Sequence, residues 1–199
     1  MLKKTLLLTS GLVIIFLSST LTRVDRTPYM ALDFYKKSIH EINQLLTKNP
    51  SPSIGDTLLI GFARANLTPS DLAPLAGYGN RRPKEMTSVH DSIYVNTTVI
   101  NNGKNKIAIV SADLLIIPPE VTALLKEKLF NTGWSVPEVF LSATHTHSSL
   151  GGWAPGLVGN MIAGTYDAKY PEFIANQIVA SIQMAEKRLN AGAWSFNEL

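Results

Sequence analysis

No cysteine occurs in the 199 residues of this chain. That absence removes disulfides, thiolate metal sites, cysteine nucleophiles and acylated lipoprotein cysteines together. Charge is scarce too: Asp, Glu, Lys and Arg make up 17% of the chain against 45% apolar residues, which excludes a disordered polyelectrolyte. A basic surface for nucleic acid is also missing. The net charge of +3 resides in the first 50 residues, which hold seven Lys/Arg against three Asp/Glu, while the remainder holds eleven against twelve. A nucleic-acid-binding fold would carry its excess of cations on the folded part. Histidine is rare, with four in all: His40, His90, His145 and His147. The length suffices for one domain of ordinary size with a substantial core.

What is present begins with a leader. Lys3 and Lys4 precede an uncharged, Leu/Ile/Val/Phe-rich run at residues 5–21, closed by Arg23, Asp25 and Arg26. This reads as a signal peptide or a single membrane anchor. Two Lys on one flank and two Arg on the other leave its orientation open. The order of basic end, apolar run and polar end favours export of the downstream chain. The expected product is a membrane-anchored protein with an exported domain, or a secreted one if the leader is cleaved. Residues 1–26 are thus a signal-anchor or signal peptide. Residues 27–53 are a juxtamembrane helix, with Ile39, Ile42, Leu45 and Leu46 at near-helical spacing, and an Asn49-Pro50-Ser51-Pro52-Ser53 linker. His40 lies among the polar residues of that helix and reads as a surface residue.

Residues 54–199 carry the pattern of an α/β fold, a mixed sheet flanked by helices. A strand is expected at 57–66. Another runs from Val89 to Ile100, then a hairpin turn at Asn101-Asn102-Gly103 and a partner strand at 107–111. Residues 107–117 are almost continuously apolar around Asp113, which predicts a sheet buried on both faces. Asp113 falls at that strand's end, where it is either a functional carboxylate or an acceptor for backbone amides in the turn. Pro118-Pro119-Glu120 opens a helix with Val121, Leu124, Leu125 and Leu129 on its buried face, stopped by Gly133. A Gly-rich apolar loop is expected at 153–167. Pro171 and Glu172 open the last helix, striped by Phe173, Ile174, Ile178, Ile182, Ala185 and Leu189. A further strand is expected at 193–197.

The stretch Val139-Phe140-Leu141-Ser142-Ala143-Thr144-His145-Thr146-His147-Ser148-Ser149-Leu150-Gly151-Gly152-Trp153 organises the site. A β-prone run ends in two histidines one residue apart. Alternation along a strand would put both imidazoles on one face, about 7 Å apart along the backbone. Two imidazoles converging there suit one divalent metal, zinc first among them; the alternative is a pair of hydrogen-bonded polar residues at a sheet margin. Signatures of the HxHxDH type are excluded, because Ser149-Leu150 stands where Asp-His is needed. His90 opens a strand, where it either faces the site or is a satisfied polar residue.

Ser142-Ala143-Thr144-His145-Thr146-His147-Ser148 with Gly151-Gly152 resembles the ATHTHSGPGG signature of neutral (non-lysosomal) ceramidases, in their amino-terminal catalytic domain. Ser149-Leu150 replaces the usual Gly-Pro. Ile60-Gly61-Phe62-Ala63-Arg64-Ala65-Asn66-Leu67-Thr68-Pro69 resembles the family's opening strand, and Ala76-Gly77-Tyr78-Gly79 its MGY-type loop. Val89-His90-Asp91 resembles its GIH segment, although Asn96-Thr97-Thr98 takes the place of Arg-Ala. Val110-Ser111-Ala112-Asp113-Leu114 resembles its V-x-x-DLG motif, with Leu115 for the glycine. The resemblance implies zinc-dependent cleavage of the N-acyl bond of ceramide, giving sphingosine and a fatty acid. It implies His145 as a zinc ligand and His147 as an acid/base or substrate-orienting group, with Asp113 a further catalytic candidate. His90 is the candidate second ligand, and Gly151, Gly152 and Trp153 are candidates for substrate contact. The implied partners are a ceramide-like lipid and a membrane surface. Family enzymes are longer, and the resemblance places their remaining ligands beyond this chain. The competing expectation is a membrane-tethered, non-catalytic domain that binds lipid or a partner.

Overall fold

The computed structural model describes residues 2–21, 26–48, 57–78, 85–193 and 195. Arg23, Asp25, the linker expected at 49–53, Gly79 and most of the terminal strand expected at 193–197 lie outside them. The chain divides into two compact units, Met1–Pro52 and Ser53–Leu199.

The first unit contains two helices. Helix α1 spans Leu2–Thr20. Its apolar residues, including Leu12, Ile14 and Phe16, are exposed. Among the described residues no helix is long and apolar enough to cross a membrane. A single helical turn at Tyr29–Ala31 leads into α2, Asp33–Lys48, none of whose residues is buried.

The second unit is a five-stranded mixed sheet with helices. Strand β1 (Leu59–Asn66) pairs antiparallel with β2 (Tyr94–Asn101), which pairs antiparallel with β3 (Lys106–Ala112). Helix α3 (Pro119–Leu129) then crosses to β4 (Val139–Ala143), parallel to β3. Helix α4 is Gly156–Ala163 and α5 is Lys169–Glu186. The short β5 (Asn190–Ala191) returns to the free edge of β1, giving the order β4-β3-β2-β1-β5.

The core lies between the sheet and α5. Ile174, Ile178, Ile182 and Ala185 are fully buried, as are Val95, Val99, Ala108 and Val110 of the strands. Each buried isoleucine contributes about 1.5–3 kcal/mol. A buried Thr97–Ser181 hydroxyl pair at 2.6 Å ties β2 to α5, and Lys128 of α3 pairs with Glu172 of α5.

Three expectations are corrected. The sheet is not covered on both faces: Phe62, Thr98, Ile109 and Phe140 are cross-strand neighbours in one row, and Phe62, Ile109 and Phe140 are exposed. Ala108 and Val110 are buried while Ile107 and Ile109 are not, so the apolar run conceals an ordinary alternation. Second, residues 89–93 bend before β2 instead of joining it. Third, the apolar loop at 153–167 contains α4, with Leu157, Val158 and Met161 turned outward.

Candidate active site

Strand β4 delivers the histidines to the end of the sheet, but not as a continuing strand. The ladder stops at Ala143, the Thr144 N–H still reaches the Ala112 carbonyl at 3.0 Å, and His145 then turns with φ +59°. Left-handed backbone is uncommon for a residue with a side chain, and such strain collects at functional sites. The turn replaces the expected alternation, yet it brings the rings together: the imidazoles of His145 and His147 meet edge to face, centroids 4.9 Å apart.

Each ring has its own support. His145 Nδ1 lies 2.8 Å from the Leu115 carbonyl oxygen, in the loop that follows β3. A carbonyl only accepts, so Nδ1 carries a hydrogen, and in the neutral ring Nε2 keeps its lone pair. His147 stacks at 47° against Tyr78, centroids 4.7 Å apart. Beneath it lies Gly77 at φ +89°, where a Cβ would stand 2.7 Å from Nδ1 of His147. Only glycine accommodates both that backbone and that ring.

Hydrogen bonds lace these segments together. The Gly77 N–H donates to Ile162, Ala76 to Ser149, Gly151 to Pro74 and Gly152 to Ala163. A Cβ on Gly151 would collide with the Ala163 carbonyl, and one on Gly152 with the Tyr170 ring. Both glycines therefore permit close packing behind the site. Trp153 is buried, and its indole N–H donates to the Leu150 carbonyl at 2.7 Å. Asp167 closes the segment by donating its N–H to Gly152. The Asp167 carboxyl accepts the Lys169 N–H, which holds it below the ordinary carboxylate range. That contribution is present above the ordinary value and is lost as pH falls through the lowered one.

The result is a cavity of about 540 Å³ lined by His145, His147, Tyr78, Trp153, Val158 and Ile162. None of the described residues lining it carries a formal charge apart from what the imidazoles can take up. Its rim continues into exposed apolar side chains, among them Ile116 and Leu157, the latter 78% exposed.

The family profile described as "Neutral/alkaline non-lysosomal ceramidase, N-terminal" matches residues 58–199. The chain belongs to this family. The solved neutral ceramidase from Pseudomonas aeruginosa superposes with a TM-score of 0.61 at 25% identity, over 68% of this chain and 22% of that one. A ceramidase complexed with C2 superposes with a TM-score of 0.57 at 24% identity, over the same shares. The chain thus spans 22% of the length of these ceramidases.

In this ceramidase-family fold the remaining candidates sit apart from the cavity. Asp113 Oδ2 accepts the Tyr94 N–H at 2.9 Å while its own N–H donates to the Tyr94 carbonyl, so it closes the end of the β2–β3 ladder. His90 lines a second cavity of about 580 Å³ with Thr146, Ser148 and Ser149, across the histidine segment. Its Nδ1 lies 2.7 Å from Asp91 Oδ2, and its side chain is 96% exposed. Here too the oxygen accepts from Nδ1, so a neutral His90 ring would carry its lone pair on Nε2. Among the described residues, no group of three or more His, Asp or Glu is assembled that could hold a metal. The imidazoles fit zinc by donor type and tautomer, as separate donors.

Sequence reasoning passed over Tyr78 as a ring partner and the Leu115 carbonyl as the group that orients His145. The Gly-Tyr motif was a usable signal for the first. No residue type signals the second, since every residue offers a carbonyl.

Proposed function

We propose that residues 58–199 supply the imidazole part of a zinc-dependent amide hydrolase site that acts on N-acyl sphingolipids of the ceramide type. The supporting observation is the His145–Leu115 contact, which leaves a ring nitrogen available beside a second imidazole in an uncharged, apolar-walled cavity. His145 would hold the ion; His90, which lies across the histidine segment in the second cavity, would join it as a further ligand only if the two segments approached each other, and Asp91 would then back it in the carboxylate–histidine arrangement common at zinc. Zinc supplies Lewis acidity, polarising an amide carbonyl and acidifying the attacking water near neutral pH. His147, steadied by Tyr78, moves a proton toward the leaving amine. The apolar wall from Trp153 to Ile162 takes hydrocarbon and excludes water, and Gly151 and Gly152 shape that wall from behind. Asp113 keeps the strand ends in register under the site. Helix α1 serves as a leader or membrane tether, with the hydrolase unit on the exported side.

The second reading, a lipid-binding domain without turnover, is favoured by the lack of a three-donor cluster among the described residues. Catalytic zinc ordinarily takes three protein ligands. Hydrolysis of a short-acyl ceramide by the 199-residue chain, with and without zinc, separates the two. Slow cleavage that stops with chelator and with His145→Ala supports the hydrolase. Ceramide binding that persists without any zinc-dependent turnover supports the binding domain.

A further inference from the structure

Helix α2 displays an apolar face of which no residue is buried among the described residues, although Tyr35 meets the Tyr29 ring edge to face. On a helical projection, Phe34, Tyr35, Ile39, Ile42, Leu45 and Leu46 occupy an arc of about 140°, interrupted only by Ser38. Ile42 is 50% exposed and Leu46 64%. Asn43 and then Lys36 flank the arc on one side, and Glu41 and then Lys48 on the other; a lysine stem can lie along an apolar surface while its ammonium reaches outward. The Lys36–Asp33 and Lys37–Glu41 pairs, at 4.0 and 3.9 Å, are solvent-exposed and contribute little.

We infer that α2 is an interfacial helix that lies on an anionic lipid bilayer, its apolar arc among the acyl chains and its lysines among the headgroups. Two observations select this occupant. Charge complementarity is the first: the chain's cationic excess is confined to its first 50 residues, within which α2 carries three lysines against two acids, and basic residues near an anionic leaflet each strengthen binding. Continuity is the second, because the same unit carries α1, whose exposed residues are apolar along most of its length. A second copy of α2 is a poorer occupant. The spacing of Leu32, Tyr35, Ile39, Ile42 and Leu46 covers about two heptads, fewer than the three to four that mark a coiled coil. Its arc is also wider than a seam, and the flanking Lys36, Ser38, Asn43 and Leu45 offer no opposite charges to a partner. A wide apolar arc with lysines on both flanks and modest overall hydrophobicity is the pattern of helices that lie in a membrane interface. The inference rests on the reading that this protein works at a membrane, and it adds the lipid class and the element that recognises it.

Because the chain has no cysteine, one introduced cysteine gives a unique labelling site. The full chain carrying Ile42→Cys or Gln44→Cys is labelled with a polarity-sensitive fluorophore. Each is mixed with vesicles of phosphatidylcholine alone or containing one-quarter phosphatidylglycerol, and flotation is measured in parallel. The expected result is a blue shift at position 42 and none at 44, strongest with the anionic lipid. Partition should weaken roughly fivefold for each of Lys36, Lys37 and Lys48 changed to Gln. If the chain floats but position 42 stays in water, or shifts no more than 44, the α2 inference is overturned and the membrane reading stands. Failure to float on either vesicle overturns both. A shift at 42 without vesicles that grows with protein concentration makes the occupant a second copy, which also overturns the inference.

Discussion

His145 and His90 each donate an Nδ1 hydrogen to an oxygen, the first to the Leu115 carbonyl and the second to the Asp91 carboxylate. In both, the neutral ring presents its other nitrogen as a lone-pair donor. The foundations differ. His145 is fixed by a carbonyl 30 positions earlier in the chain, by a left-handed turn in its own backbone and by the ring of His147. Among the described residues His90 is held by the adjacent Asp91, with its side chain almost wholly in solvent. Tautomer selection is therefore cheap and local, whereas placement to the fraction of an ångström that a metal requires comes from several elements at once.

His145→Ala should disturb this contrast most. Zinc affinity of the full chain, measured by calorimetry, should fall by more than the roughly 10–100-fold that loss of an outer-shell partner costs. Next is Gly77→Ala. A Cβ at φ +89° beneath His147 adds about 1–2 kcal/mol of backbone strain and displaces the ring. The melting temperature should drop by several degrees, and zinc affinity should weaken less than in His145→Ala. His90→Ala should lower zinc affinity by a smaller factor than His145→Ala and leave the melting temperature unchanged, as an exposed side chain's loss stays within about 0.5 kcal/mol. An effect on affinity equal to that of His145→Ala would mean that His90 is positioned as firmly as His145. The smallest effect belongs to Asp113→Asn, which keeps an oxygen for the Tyr94 N–H. Turnover and zinc affinity should both persist, and loss of turnover with the fold intact would restore Asp113 to a catalytic role.

Much of this was legible in the sequence, because it depends on local pattern. The stripe of α5 and the hairpin at Asn101-Asn102-Gly103 appear close to where periodicity and turn chemistry put them. The pairing of the two imidazoles was legible too, though by a route other than the one expected: strand alternation predicts a shared face, and a turn at His145 produces the contact instead. Helix α4 was hidden, because Pro155, Gly156 and Gly159 read as loop residues and Gly156–Ala163 has no polar face to set a period. The bare row Phe62, Thr98, Ile109 and Phe140 was hidden for a different reason: Ile109 and its neighbours Ala108 and Val110 are all apolar, so composition alone does not tell inner from outer face. Helix α2 has as clear a stripe as α5, yet one is bare and the other buried. Periodicity identifies the face that needs a partner and leaves the partner open.

If His145 is the organising donor, one titration shows it with the fewest assumptions. Zinc is titrated into the full chain near neutral pH, alongside His145→Ala and His147→Ala, after thermal melts show that all three are folded. Weak binding of one zinc by the unaltered chain is expected, with loss of that binding in His145→Ala and a lesser weakening in His147→Ala. Equal zinc binding by the unaltered chain and His145→Ala would remove His145 from that role, and would leave the two imidazoles as ordinary polar residues at a sheet margin.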